Sequence, residues 1–443
     1  MQQTTIAAIS TPHGTGGIAM IRISGPGAIG VSEKLFRARG GKRLGDIVDG
    51  EMIIDEAVAF VYRAPKSYTG EDVVELCVHG GMWVAQRVLR LCFQNGAEPA
   101  QPGEFTKRAF LNGKMDLSQA QAVMDVVYAQ NDTALRAANA ARTGAIATAV
   151  REIASRLLTQ SAHIAAWSDY PDEDLEPVDT GKLAESLRES EALTVKLLAT
   201  YDQGKILREG VPTAIAGKPN VGKSTLMNLL SGHERSIVTE IPGTTRDIIS
   251  ESVRLGDIVL QLHDTAGLRD TDNPVERIGV ERTREQLEQS QLILAVFDNS
   301  EPLSSEDREL LQQVSGRNCI AIVNKADLPS RLKLAGAERI VKMSAKTGEG
   351  YDGLVRAVTE AVGMADWKLD PGAAIIANER QYRHLFAAKT AIEQAVQTLQ
   401  NGLTLDAVAV CIDEAHGELL SLTGERVSDV VVDEIFSRFC VGK

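Results

Sequence analysis

A glycine-rich segment in the middle of the chain limits what this sequence can fold into. Residues 217–224 read Gly-Lys-Pro-Asn-Val-Gly-Lys-Ser, between an apolar run at 211–216 and a run with helical spacing at 225–230. Glycines let successive backbone N–H groups converge on phosphate oxygens, and the N-terminus of a following helix points at the same place. The pattern predicts a strand, a phosphate-binding loop and a helix, in which Lys223 meets the terminal phosphates and the Ser224 hydroxyl binds Mg²⁺.

A second motif, Asn-Lys-Ala-Asp at 324–327, indicates which base accompanies the phosphates. The Asp327 carboxylate can accept from both N1–H and the 2-amino group of guanine, whereas adenine has an acceptor at N1 that would stay unpaired. The sequence therefore favours GTP over ATP. A strand-like run at 339–343 leads into Ser-Ala-Lys, which would complete the base pocket with a backbone N–H. The GTP-binding residues predicted in these two loops are Asn324, Lys325, Ala326, Asp327, Ser344, Ala345 and Lys346.

The segment Asp-Thr-Ala-Gly at 264–267 supplies a third nucleotide motif after the apolar run 258–263. Its aspartate can hold Mg²⁺ through water, and the Gly267 N–H can bind a γ-phosphate. The next position often carries a glutamine that orients water, but here it is Leu268. Hydrolysis then needs another residue or an outside activator. Pro274 suits the first turn of a helix and makes Glu276 a candidate, although Glu276 could instead only complement the helix N-terminus.

Composition limits the partners and the compartment. A chain of 443 residues predicts two or three domains, and it has no apolar run of membrane-spanning length and no signal-like start, so we expect a cytoplasmic protein. The net charge of −13 and an aromatic content of 4% oppose broad nucleic-acid binding, so any RNA contact should be local or shared with a partner. The cysteines lack metal-binding spacing, which suits a reducing compartment.

The sequence divides into parts of different texture. Residues 5–112 contain β-rich runs at 17–23, 57–62 and 73–78 and a helix near 83–93, which predicts an α+β domain at 1–116. Helical, alanine-rich sequence fills 117–209 and returns at 378–439. We therefore predict a multidomain α/β and α chain, in which a helical domain (117–209 and 367–443) contains an inserted Ras-like P-loop α/β domain (210–366).

Several segments together resemble the MnmE (TrmE) family of tRNA-modification GTPases over essentially the whole chain. They are Asn220 in the phosphate loop, Thr-Glu-Ile-Pro-Gly-Thr-Thr-Arg-Asp at 239–247, Asp-Thr-Ala-Gly-Leu-Arg at 264–269, Val-Glu-Arg-Ile-Gly at 275–279, the terminal Phe-Cys-Val-Gly-Lys at 439–443, and N-terminal segments at 12–18, 69–72 and 102–105. The usual family ending is Cys-Ile-Gly-Lys, so Val441 is a departure that keeps a branched apolar side chain.

The resemblance implies a potassium-stimulated GTPase whose G domains meet across a homodimer. K⁺ would be held by the counterparts Asn220, Thr239, Ile241 and Thr244, and Mg²⁺ by Ser224 and Thr245, while Glu276 would orient the attacking water. A cation at the K⁺ position can offset charge between the β- and γ-phosphates, as an arginine finger does. The remaining predicted GTP-binding residues are Asn220, Val221, Gly222, Lys223, Ser224, Thr225, Thr239, Glu240, Ile241, Pro242, Gly243, Thr244, Thr245, Asp264, Thr265, Ala266 and Gly267.

The N-terminal part is similar to tetrahydrofolate-binding domains. The resemblance implies a one-carbon folate, such as 5-formyl- or methylene-tetrahydrofolate, bound by Arg22, Glu75, Lys114 and Lys443. From the sequence alone, Arg22 and Lys114 would be surface charges. Cys440 is either a participant at this site or a structural cysteine.

The implied function is wobble-uridine modification. With a flavin-containing partner of the MnmG (GidA) kind, in a heterotetramer or larger complex, the chain would add an aminomethyl-type group (carboxymethylaminomethyl) to C5 of the wobble uridine of certain tRNAs. GTP would be the switch and the folate the methylene source, with glycine or ammonium as the donor. One alternative is a GTPase switch in ribosome assembly, which would need an RNA-binding domain richer in basic and aromatic residues. Another is a nucleotide-gated scaffold without catalysis, which a phosphate-release assay would distinguish.

Overall fold

The computed structural model describes residues 4–41, 43–169, 176–233, 250–263, 287–334, 336–365, 370 and 372–443. These residues form two compact units. The first contains residues 4–124 and 417–443, and the second contains the described residues between 125 and 416. The domain boundaries at 116, 209 and 366 remain predictions.

The first unit is built on a mainly antiparallel sheet in the order β3-β4-β5-β6-β2-β1-β7, in which β1 and β7 run parallel. Along β2, buried side chains alternate with more accessible ones, as expected when one face of a sheet covers a core. The predicted strands and the helix near 83–93 are confirmed. The strands are β1 (Ile6–Ile9), β2 (Ile18–Ser24), β3 (Phe36–Ala38), β4 (Leu44–Asp49), β5 (Met52–Tyr62), β6 (Val73–His79) and β7 (Glu98–Pro99), and the helices are Ala28–Leu35, Met82–Gln94, Glu104–Leu111 and Asp429–Ser437.

The alanine-rich sequence forms long helices, as predicted. Capping side chains begin several of them: Asn131, Asp179 and Asn378 each accept a hydrogen bond from a backbone N–H of the first turn. Within the described residues, every helix is too short or too polar to cross a membrane. The helices are Asp132–Arg142, Ala145–Asp169, Thr180–Leu198, Tyr201–Glu209 and Glu379–Gln400 in the second unit, and Leu117–Tyr128 and Leu405–Thr423, which have residues in both units.

The second unit also contains a sheet in the order β13-β12-β11-β8-β10-β9, parallel except for the β9–β10 pair. Strand β11 is buried along its whole length, which explains its continuous apolar sequence. In open parallel sheets, ligands bind beyond the carboxyl ends of the strands. The elements are β8 (Val211–Ala216), β9 (Ser250–Leu255), β10 (Ile258–His263), β11 (Leu292–Asp298), β12 (Cys319–Asn324) and β13 (Ile340–Lys342), with helices Lys223–His233, Ser305–Gln313 and Tyr351–Ala361.

Candidate functional site

The loop after β8 has the backbone that its glycines predict. Gly222 has a φ of 95°, and a Cβ added there would lie 2.3 Å from Asn324 Nδ2. A Cβ on Gly217 would lie 2.5 Å from the carbonyl oxygen of Val296. Asn220 also has a left-handed φ, 64°, which asparagine tolerates better than most residues. Glycine is therefore required at both ends of the loop for steric reasons.

Lys223 lies at the start of the helix that follows this loop. Its ammonium donates to the carbonyl oxygens of Gly217, at 2.7 Å, and of Lys218, at 2.9 Å. Burial lowers the pKa of Lys223, because the charged form has lost hydration. An ammonium in this position gains stabilisation from an anionic phosphate. Ser224 and Thr225 are exposed in the first helical turn, where their hydroxyls are open to a ligand.

Asn324 joins the phosphate loop to the two predicted base loops. Its side chain is buried, Nδ2 donates to the Val221 carbonyl at 2.8 Å, and Oδ1 accepts from the Ala345 N–H at 2.9 Å. The second base loop is also tied to the first through Ala326, whose N–H donates to the Met343 carbonyl at 3.1 Å. The structure thus brings together the three loops that follow β8, β12 and β13.

Asp327 is exposed at this junction, with its carboxylate beside Ser344. The Ser344 hydroxyl donates to it and lowers the pKa of Asp327, and the charges of Lys346 and Lys325 act in the same direction. Lys325 has a φ of 62°, and its ammonium is paired with the buried carboxylate of Asp298. Asp327 is therefore held ionised, which is the form that can accept two hydrogen bonds from guanine.

The remaining predicted nucleotide residues lie outside the described part of the chain. Nothing of their geometry enters the site described above. They are Thr239, Glu240, Ile241, Pro242, Gly243, Thr244, Thr245, Asp264, Thr265, Ala266, Gly267 and Glu276.

In the first unit, Arg22 and Glu75 form an ion pair. They lie directly opposite each other on β2 and β6. Arg22 Nε lies 2.9 Å and Nη2 2.8 Å from the same oxygen, Glu75 Oε1. The rings of Tyr68 and Phe105 lie 5.4 and 5.5 Å from the guanidinium carbon. Neither aromatic residue was selected from the sequence, although Phe105 ends the segment 102–105 and Tyr68 precedes the segment 69–72.

The C-terminal residues reach the same ion pair. Arg22 Nη1 donates to the Gly442 carbonyl at 3.2 Å, and the Phe105 N–H donates to the Lys443 carbonyl at 3.2 Å. Burial lowers the pKa of Lys443, and the charge of Arg22 lowers it further. The structure thus brings Arg22, Glu75 and Lys443 together. Lys114 makes a different contact, donating from Nζ to the Pro65 carbonyl at 2.9 Å.

Comparisons with known proteins agree with these features. The family described as MnmE helical domain matches residues 117–440, and the one described as GTP-binding protein TrmE N-terminus matches residues 5–114. With the sheets and helices above, these matches confirm the predicted fold class. Among solved structures, Aquifex aeolicus Era bound to GDP.AlF4- is 26% identical over 40% of this chain and 65% of that chain, but its TM-score of 0.26 is too low to support an argument.

Similar proteins extend over the full length of the chain. The tRNA modification GTPase MnmE of Symbiobacterium thermophilum is 44% identical over 461 residues, covering 100% of both chains. The protein of the same name from Geobacillus kaustophilus is 42% identical over 99% of each chain, and that from Enterococcus faecalis is 41% identical over 100% of this chain and 99% of its own. This chain therefore belongs to the MnmE family of tRNA modification GTPases.

Proposed function

We propose that this GTPase acts with a flavin-containing MnmG-type partner to add a carboxymethylaminomethyl group, or a related aminomethyl-type group, at C5 of the wobble uridine of certain tRNAs. Membership of the family gives GTP hydrolysis in tRNA modification. The partner, the wobble position and the group added are our proposal. The observation that carries it is the cluster of Arg22, Glu75 and Lys443, which suits a folate one-carbon donor in a chain that also has a guanine-nucleotide site.

The folate assignment is supported by the donors and acceptors of this cluster. A pterin edge presents adjacent N–H groups that a carboxylate can bind by paired hydrogen bonds. Both contacts from Arg22 reach Oε1 of Glu75, which leaves Oε2 oriented by the same ion pair and able to accept. The folate glutamate tail is anionic and would meet the basic side chains of Lys443 and Lys114. A bound folate would supply the methylene carbon for the uridine.

The nucleotide assignment rests on the three loops that Asn324 joins. Lys223 would bind the terminal phosphates, and Asp327 would bind guanine. The Ser224 hydroxyl is an oxygen donor at an exposed helix start, which fits the preference of Mg²⁺ for oxygen ligands, and Thr245 would be the second protein ligand. A bound Mg²⁺ would neutralise phosphate charge during hydrolysis.

We also propose K⁺ stimulation within a homodimer in which the G domains pair. Asn220 fits this role because its amide oxygen is a suitable ligand and its backbone places the side chain at the exposed surface of the loop. The other proposed ligands are Thr239, Ile241 and Thr244. We expect faster GTP hydrolysis in K⁺ than in Na⁺ for the wild type, with no such difference in Asn220→Ala. Equal wild-type rates in both salts would contradict the K⁺ site.

Glu276 is the proposed residue that orients the attacking water, in place of the glutamine that Leu268 replaces. Glu276→Ala should keep its nucleotide affinity but lose hydrolysis by about 10²-fold, because water placement is needed only for the chemical step. Single-turnover phosphate release measures this. Near-normal turnover would leave Glu276 as a residue that only complements a helix N-terminus.

The proposed function is tested in cells that lack the protein, by mass spectrometry of tRNA nucleosides. The wild type should restore the C5 group on the wobble uridine. Glu75→Ala should restore little of it while the purified variant hydrolyses GTP normally, and Glu33→Ala, which alters an exposed glutamate of the same unit, should behave as wild type. Failure of the wild type to restore the group would contradict the function. Full restoration by Glu75→Ala would contradict only the folate role.

A further inference from the structure

Lys218 connects the phosphate loop to a neighbouring helix. Its ammonium lies 2.9 Å from Glu301 Oε2 and 3.2 Å from Asp307 Oδ2. The side chains of Lys218 and Asp307 are only 13% and 2% exposed, whereas that of Glu301 is 57% exposed. Exposed ion pairs contribute little, but breaking a buried pair leaves an uncompensated charge. The contact with Asp307 is therefore the stronger constraint on Lys218.

Asp307 is itself held in place by a capping box at the start of the helix Ser305–Gln313. Its Oδ2 accepts from the Ser304 N–H at 3.0 Å and from the Ser304 hydroxyl at 2.8 Å, and its own N–H donates to that hydroxyl. Among the described residues, its other oxygen, Oδ1, has no hydrogen-bond partner. The buried carboxylate cannot turn towards solvent without losing the cap, so it fixes the position of the Lys218 ammonium.

The backbone of Lys218 faces the nucleotide side of the loop. Its carbonyl oxygen, with that of Gly217, accepts the two hydrogen bonds that hold the Lys223 ammonium. A single residue thus contacts a fixed helix start through its side chain and the phosphate-binding lysine through its carbonyl. Movement of the Lys218 side chain would move the acceptors on which the position of Lys223 depends.

We propose that Lys218 is a positioning residue for the nucleotide, which acts by anchoring the phosphate loop to Asp307 and so holding Lys223 in place for the phosphates. Lys218 needs no contact with GTP for this role. The inference deepens the nucleotide site proposed above and rests on it. It differs from a purely structural ion pair, because loss of the anchor should change nucleotide affinity more than it changes folding.

The test is GTP and GDP affinity, measured by fluorescence titration in variants of the full chain. Lys218→Met should weaken both affinities by about 10-fold, since a small misplacement of a phosphate ligand is costly, whereas kcat at saturating GTP should change less. Lys218→Arg should restore most of the affinity, because a guanidinium can bind the same carboxylates. Asp307→Asn removes the charge, and its combination with Lys218→Met should bind no more weakly than the weaker single variant.

Matched controls separate anchoring from general effects of charge. Glu306→Gln, in the same helical turn as Asp307, and Lys342→Met, on an exposed strand position, should bind as wild type. Thermal unfolding is followed for every variant, and Lys218→Gln serves as a second variant if Lys218→Met fails to fold. Wild-type affinity in Lys218→Met or Lys218→Gln, or additive losses in the double variant, would overturn the inference. Wild-type affinity in Lys223→Ala would instead overturn the nucleotide site itself.

Discussion

At the scale of single residues, the site depends on polar side chains that have two jobs. Asn324 both donates to the phosphate loop and accepts from the second base loop, and it is buried while doing so. Removal of such a side chain leaves two buried backbone groups unpaired, at a cost of about 1–3 kcal/mol each. Asp327 is different, since it is exposed and oriented by the Ser344 hydroxyl. One residue assembles the site, and the other is available to the ligand.

The first prediction concerns base recognition by Asp327. Asp327→Asn should weaken GTP binding and favour xanthosine nucleotides, because an amide can donate to the 2-oxo group where the carboxylate accepted from the 2-amino group. Competition titrations with GTP and xanthosine triphosphate measure the change. Asp352→Asn, an exchange of the same kind in the first turn of the helix Tyr351–Ala361, is the control and should leave the preference for GTP intact. Unchanged GTP affinity in Asp327→Asn would contradict the base assignment.

What the sequence could predict at this scale depended on contiguity. The nucleotide motifs are continuous segments whose spacing encodes a local backbone, so the loops around Lys223, Asn324 and Ser344 could be placed in advance. The Lys218–Asp307 pair joins residues far apart in the chain, and no local pattern indicates it. Arg22 and Glu75 face each other only because of the register between β2 and β6, which the sequence alone does not reveal.

At the scale of elements, strand and helix cores were easier to predict than their ends. The runs 211–216 and 258–263 coincide with β8 and β10. The helix after the phosphate loop begins at Lys223, ahead of the predicted start at residue 225. The difference arises because residues of the first turn need no backbone N–H bond within the helix, so the motif residues themselves can adopt helical geometry.

The second prediction concerns the turn from loop to helix at Gly222. Gly222→Ala should weaken GTP binding by about 10-fold or more, since its Cβ would displace the amide that joins the loops. Gly232→Ala is the matched control: an added Cβ there meets nothing within 4 Å, and the helix should gain up to about 1 kcal/mol. Nucleotide titration and thermal unfolding test both. Equal GTP affinities in the two variants would show that the close approach at Gly222 has no role in binding.

At the scale of the whole molecule, the chain carries two chemically different candidate sites. The three joined loops suit a guanine nucleotide, and the cluster around Arg22 suits a folate. Each site is complete enough within its own unit to be altered separately, so a variant of one should leave ligand binding at the other unchanged. The membership of the chain in a tRNA modification GTPase family requires hydrolysis to serve modification, which links the sites in function.

That link is tested most directly by wobble-uridine modification in a reconstituted system containing the MnmG-type partner, tRNA and folate, with Asp327→Asn in place of the wild type. If the proposed guanine site drives modification, the variant should add the C5 group poorly with GTP and efficiently with xanthosine triphosphate, and the wild type should show the opposite preference. Modification by the variant that proceeds equally well with GTP, with xanthosine triphosphate and without nucleotide would contradict the account.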